Sequence, residues 1–85
     1  MKIADIHFLV VEDHEFQREA LVSMLAALGA RNVAEAADGR AALEVIRGTG
    51  RRIDIIISDL DMPGMDGMEF IRHVSEAGVP AAMIL

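Results

Sequence analysis

An α/β domain, with a parallel sheet covered by helices on both faces, is what this 85-residue sequence predicts. Three observations lead there. Two apolar runs, Ile6-His7-Phe8-Leu9-Val10-Val11 and Ile53-Asp54-Ile55-Ile56-Ile57-Ser58, have the length and the β-branched character of buried strands. Segments with apolar residues at helical spacing follow each of them. Gly or Pro marks most of the junctions, and such alternation favours parallel pairing through crossover helices.

The elements can be taken in order. Ile6–Val11 is the first strand. From His14 to Leu28, the spacing places Phe16, Ala20, Leu21, Met24, Leu25 and Leu28 on one stripe, and Gly29 supplies the stop. Asn32-Val33-Ala34-Glu35-Ala36 is short and half polar, the profile of an edge strand. Asp38 can cap a second helix in which Ala42, Val45 and Ile46 share a face, ending near Gly48. Ile53–Ser58 is the central strand. Asp66-Gly67-Met68-Glu69 has the form of a capping box with Asp as the cap, opening a third helix that runs to Gly78. Val79–Leu85 then reads as a strand, with Pro80 near its start, where a missing donor is tolerated.

The order is βαβαβαβ. Because the strand around Glu35 is the polar one, it belongs on the edge, and the third strand should return to the other side of the first. Right-handed crossovers then put the first helix on one face and the next two on the other. The predicted strand order is 2-1-3-4, with its switch point between strands 1 and 3. Ligands of open α/β sheets sit at such a point, beyond the carboxyl ends of the strands. Those ends carry Glu12-Asp13 and Asp59.

Composition narrows the function classes. The chain is 53% hydrophobic and 26% charged, enough to fold as one small domain. Its formal charge is −6, from 14 acids and 8 bases without a basic stripe, which argues against direct nucleic-acid contact. It has no cysteine, so disulfide frameworks and thiolate metal sites are excluded. Ile6–Val11 is too short for a signal peptide and runs straight into acids, and no stretch approaches the ~20 apolar residues of a membrane span. A soluble cytoplasmic domain is expected.

Carboxylates held about 4 Å apart repel by roughly 4 kcal/mol per pair at an effective dielectric of 20. A fold tolerates that when a cation or protons neutralise the group. A few carboxylate oxygens with room for water suit Mg²⁺ or Mn²⁺ better than zinc. A carboxylate beside such a hard cation can accept a phosphoryl group, a reaction that rests on positioning and electrostatics.

Four features in sequence order carry a resemblance. They are the apolar strand ending in Glu12-Asp13, Ala37-Asp38-Gly39 before the second helix, Asp59 after the central strand, and Met62-Pro63-Gly64-Met65-Asp66-Gly67. Together they resemble the bacterial response-regulator receiver domain, the flavodoxin-like three-layer αβα module of two-component signalling. The resemblance implies that Asp59 accepts phosphate from a histidine kinase or phosphotransfer protein. It implies that Mg²⁺ is ligated directly by Asp13, Asp59 and the backbone carbonyl of Asp61, and through a water by Glu12. It also implies a regulatory phospho-acceptor rather than a free-standing enzyme, controlling an output domain outside this chain.

Phe16-Gln17-Arg18, Glu35-Ala36-Ala37-Asp38-Gly39 and Arg72-His73 carry a closer likeness, to receivers that precede a cyclic-di-GMP phosphodiesterase domain of the EAL type. In the family a Ser or Thr follows strand 4 and a Lys ends strand 5, whereas this chain stops at Leu85. Residues 1–85 are therefore expected to be the N-terminal portion of a receiver, lacking the fifth strand and the last two helices. Such a fragment is expected to self-associate through its open strand 4 edge or by exchange of elements.

Other readings of the same residues compete. A metal-dependent phosphatase or phosphotransferase with Asp59 as nucleophile is the alternative from the enzyme class, and a metal-binding interaction module is a third. Asp59-x-Asp61-x-x-Gly64 opens like an EF-hand loop but has Phe70 where the bidentate Glu belongs. His14-Glu15-Phe16-Gln17-Arg18 begins like a zincin helix but has Arg18 in place of the second His. His7, His14 and His73 read as solvated or structural side chains, with His14 close enough to the acids to tune them. Asp66 reads as a helix cap and Arg51-Arg52 as a solvated turn.

Overall fold

The computed structural model describes residues 2–48, 52–58, 67–76 and 82–84, of which 67, 68 and 82–84 are described by their backbone alone. After a short 3₁₀ turn at Ile3–Asp5, the chain runs β1 (His7–Val11), α1 (Glu15–Ala27), β2 (Asn32–Ala36), α2 (Gly39–Gly48), β3 (Ile55–Ser58), α3 (Gly67–Glu76) and β4 (Ala82–Ile84). All the strand pairings are parallel, and the strand order is β2-β1-β3-β4. Both the element order and the sheet order expected from the sequence are thereby met. The 3₁₀ turn was not anticipated. Asn32 ties it down by donating its side-chain amide to the Ala4 carbonyl at 3.1 Å.

Alternation along β1 divides the core in two. Leu9 and Val11 point to one face, where they pack with Ile56 of β3, Ala42, Leu43 and Ile46 of α2, and Phe70 and Val74 of α3. Phe8 and Val10 point to the other, against Leu25, Leu21 and Val22 of α1 and Ile55 and Ile57 of β3. One helix on one face and two on the other is the arrangement the crossovers require.

The helix ends follow local chemistry. Asp38 caps α2, its Oδ1 accepting the Ala41 amide at 2.8 Å. At the end of α1, Gly29 takes φ +102° while its amide and that of Ala30 donate to the Ala26 and Leu25 carbonyls at 3.0 and 2.9 Å. This is the Schellman arrangement, and the positive φ is why glycine stands there.

The α1 stripe is where the expectation fails in part. Leu25 is buried and Leu21 half-buried, but Phe16 is 84% exposed, and Met24 and Leu28 are exposed as well. At 3.6 residues per turn the six-residue stripe spans roughly half the helix circumference, more than one flat sheet can cover. The sheet takes the Leu21–Leu25 side together with Val22, and Phe16 falls outside it. The Asp66 cap, the end of the third helix near Gly78 and the Pro80 position lie outside the described residues.

Candidate functional site

β1 hands the chain to the site. The Glu12 amide continues the β1–β2 ladder by donating to the Ala36 carbonyl at 3.1 Å, so Glu12 leaves the sheet in a fixed position and is buried. On its other side, Val11 is the register partner of Ser58, the last described residue before Asp59. The carboxyl ends of β1 and β3 therefore lie side by side at the switch point. Of the sequence-predicted site residues, Glu12 and Asp13 are placed by the structure, whereas Asp59 and Asp61 lie outside the described residues.

His14 organises the two acids. Its backbone amide donates to Glu12 Oε1 at 3.2 Å, and its ring Nδ1 lies 3.0 Å from the same oxygen. Nδ1 also lies 3.1 Å from Asp13 Oδ1. A carboxylate can only accept, so Nδ1 donates its proton, and of the two contacts only that to Glu12 has hydrogen-bond geometry. Asp13 Oδ1 is the one left over, buried and without a hydrogen bond. A buried carboxylate oxygen in that state is costly unless a cation meets it. Oxygen donors with one orphaned atom thus fit the hard divalent cation that the receiver resemblance implies.

Arg18, on the second turn of α1, closes the site from the side. Its Nη1 donates to the Glu12 carbonyl at 2.9 Å, and its Nε faces Glu35 Oε1 on β2 at 3.4 Å. The hydrogen bond fixes the strand end. The ion pair to exposed Glu35 adds little, since solvent screens it. Sequence reasoning missed both the clamp and the contact of His14 with two carboxylates. The Arg18 signal was its spacing six residues beyond Glu12, which on a helix starting at Glu15 turns the guanidinium back toward the strand end.

Asp54 occupies the opposite end of the sheet. Its Oδ2 accepts the His7 amide at 2.9 Å, its Oδ1 accepts Arg52 Nε at 2.8 Å, and its own amide donates to the His7 carbonyl at 2.8 Å. The His7 amide holds the Asp54 carboxyl below the usual carboxylate range against the opposing effect of burial, and Arg52 assists. A carboxylate with a depressed folded pKa contributes stability that is fully present above its unfolded value, about 3.9, and lost as pH falls through the lower folded value. Asp54→Asn should therefore lose less stability than the wild type between about pH 5 and pH 2.5. Urea titrations at the two pH values check this, and equal losses in both proteins would refute the Asp54 assignment.

The fold and the acids together define an open parallel α/β domain whose switch point presents carboxylates suited to a divalent cation. The chain belongs to the response regulator receiver domain family, whose model matches residues 8–85. Receiver domains are regulatory modules of two-component systems. Over 81 residues, 95% of this chain, the sequence is 42% identical to the cyclic di-GMP phosphodiesterase RocR of Pseudomonas aeruginosa, and spans 20% of that protein's length. This bears out the closer likeness read from Phe16-Gln17-Arg18 and its companion segments. The fold is similar to that of the chemotaxis response regulator CheY4 of Vibrio cholerae, with TM-score 0.76 and 36% identity, covering 92% of this chain and 66% of that one. It is also similar, with TM-score 0.73 and 25% identity over 84% of this chain and 47% of the other, to a chain from the Saccharomyces cerevisiae complex of the phosphotransfer protein Ypd1 with the Ssk1 receiver domain. Among the described residues, no helix is long and apolar enough to cross a membrane.

Proposed function

We propose that this chain is the phospho-acceptor part of a receiver in a cytoplasmic phosphorelay, with Asp59 taking a phosphoryl group from a histidine kinase or phosphotransfer protein. The observation that carries the reading is the Val11–Ser58 pairing, which brings the strand end bearing Glu12-Asp13 beside the strand end that leads to Asp59. Asp13, Asp59 and the Asp61 carbonyl would hold Mg²⁺ or Mn²⁺ directly, and Glu12 through a water. When bound, the cation supplies charge neutralisation for the phosphoryl oxygens.

The residues of the chain do the rest. Arg18 and the Ala36 carbonyl hold the backbone of Glu12, so the acids stay in register with the β3 end. Asp59 is the nucleophile by its place after the central strand. The phosphotransfer partner seen with the Ssk1 receiver supports a protein donor, and the 42% identity to RocR supports a cyclic-di-GMP phosphodiesterase as the regulated output.

Incubation with acetyl phosphate and Mg²⁺, followed by peptide mass mapping, tests the assignment. One phosphoryl group is expected on Asp59, absent without Mg²⁺ and absent in Asp59→Asn. Modification that persists in Asp59→Asn, or that is confined to another acid, would overturn it.

A further inference from the structure

We propose that the N-terminal end of the sheet, at the far end of β1 from the acids, carries an anion site in which Arg31 and Arg52 hold the phosphate group of a small phosphorylated molecule. The site shares no residue with the acid pocket and does not depend on the phosphoryl-transfer reading.

Arg31, Asn32, His7 and Arg52 line one cavity of about 300 Å³, at the lower limit of ligand pockets. The sheet sets their spacing. Asn32 is the register partner of His7, and the Asp54 amide donates to the His7 carboxyl-side carbonyl on the other flank, so β1 stands between the two arginine-bearing segments. Those segments are two strand spacings, about 10 Å, apart, and long guanidinium side chains from both sides reach across that gap. Buried Phe8 and Ile53 line the same cavity and make its wall partly apolar.

The hydrogen bonds leave donors for a ligand. Arg52 Nε donates to Asp54 Oδ1 at 2.8 Å, and Asp54 Oδ2 accepts the His7 amide at 2.9 Å. Both oxygens of the neighbouring acid are thus engaged, and the contact orients the guanidinium through Nε alone. Among the described residues, the terminal amino groups of Arg52 and the whole guanidinium of Arg31 have no hydrogen-bond or ion-pair partner. Nor is Arg31 needed to finish α1. The carbonyls of Met24, Leu25 and Ala26 already accept the amides of Leu28, Gly29 and Ala30. Two cationic forks beside one cavity are unusual company in a chain of formal charge −6. A phosphate ester presents enough oxygens to meet both forks at once, whereas one carboxylate fills a single fork.

Heteronuclear NMR titration of the chain with phenyl phosphate and with benzoate tests the proposal, at constant ionic strength and without divalent cations. Phenyl phosphate is expected to move the amides of Phe8, Asn32 and Arg52 along saturable curves, and benzoate to bind about fivefold more weakly or worse. Arg31→Gln and Arg52→Gln should each weaken phenyl phosphate by about fivefold or more. Arg40→Gln, an exposed arginine on the first turn of α2, removes the same charge and should change the affinity by less than about twofold. Far-UV circular dichroism should show every variant folded. Shifts that grow linearly without saturating would overturn the site. Equal weakening by Arg40→Gln would reduce it to general electrostatics, and equal affinity for benzoate would remove the phosphate from it. Shifts centred on Glu12 to His14 would place the anion at the wrong end of the sheet and overturn it as well.

Discussion

Phe70→Ala should cost the domain about 3–5 kcal/mol, the usual range for truncating a fully buried phenylalanine. Phe70 has 0% exposure and sits where α3 meets the Leu9, Val11 and Ile56 side of the sheet. The loss has two parts, the transfer free energy of the ring and the cavity left when sheet and helices fail to close over it. For 85 residues, typical stabilities of about 0.05–0.15 kcal/mol per residue give about 4–13 kcal/mol in total, so this one change threatens folding outright. Phe16→Ala is the matched control. With Phe16 84% exposed, its effect should stay within about ±0.5 kcal/mol. The chain has no Trp or Tyr, so urea unfolding followed by far-UV circular dichroism is the suitable measurement. Similar midpoints for the two variants would show that α3 does not pack as described.

That contrast marks how far the sequence could be read. Strand order followed from one comparison, the polar Asn32–Ala36 segment against the apolar Ile53–Ser58 run, because burial on both faces leaves an unmistakable composition. The caps at Asp38 and Gly29 were legible because capping is local chemistry. The fate of Phe16 was not. Periodicity says which residues share a helix face, but the fraction of that face the sheet covers depends on the helix's rotation over β1 and β3. The acids were legible as strand ends. The contact of His14 with both of them was not, since it depends on the dihedrals of a two-residue bend after β1. Asp54 was read as part of an apolar strand and is instead the clamp between His7 and Arg52, outside the observed β3.

Asp54 also provides the sharpest control for the proposed cation site. Asp13→Ala and Asp59→Ala should each weaken Mg²⁺ binding by about tenfold or more, the equivalent of about 1.4 kcal/mol or above, if each side chain is the direct oxygen ligand proposed above. Asp54→Ala removes the same formal charge but should change Mg²⁺ affinity by less than about twofold. The five residues of β1 separate the His7 end from the Glu12 end, and at ~3.3 Å per residue that is about 17 Å. The Debye length at physiological ionic strength is about 8 Å, so a charge at the Asp54 end is largely screened at the acids. Calorimetry in 0.15 M salt, at a temperature where circular dichroism shows each variant folded, separates ligation from general electrostatics and from unfolding. If charge alone governed binding, lowering the salt would make the Asp54→Ala loss approach the Asp13→Ala loss. If ligation governs it, Asp13→Ala stays weak at every salt concentration, because no screening replaces a missing donor atom.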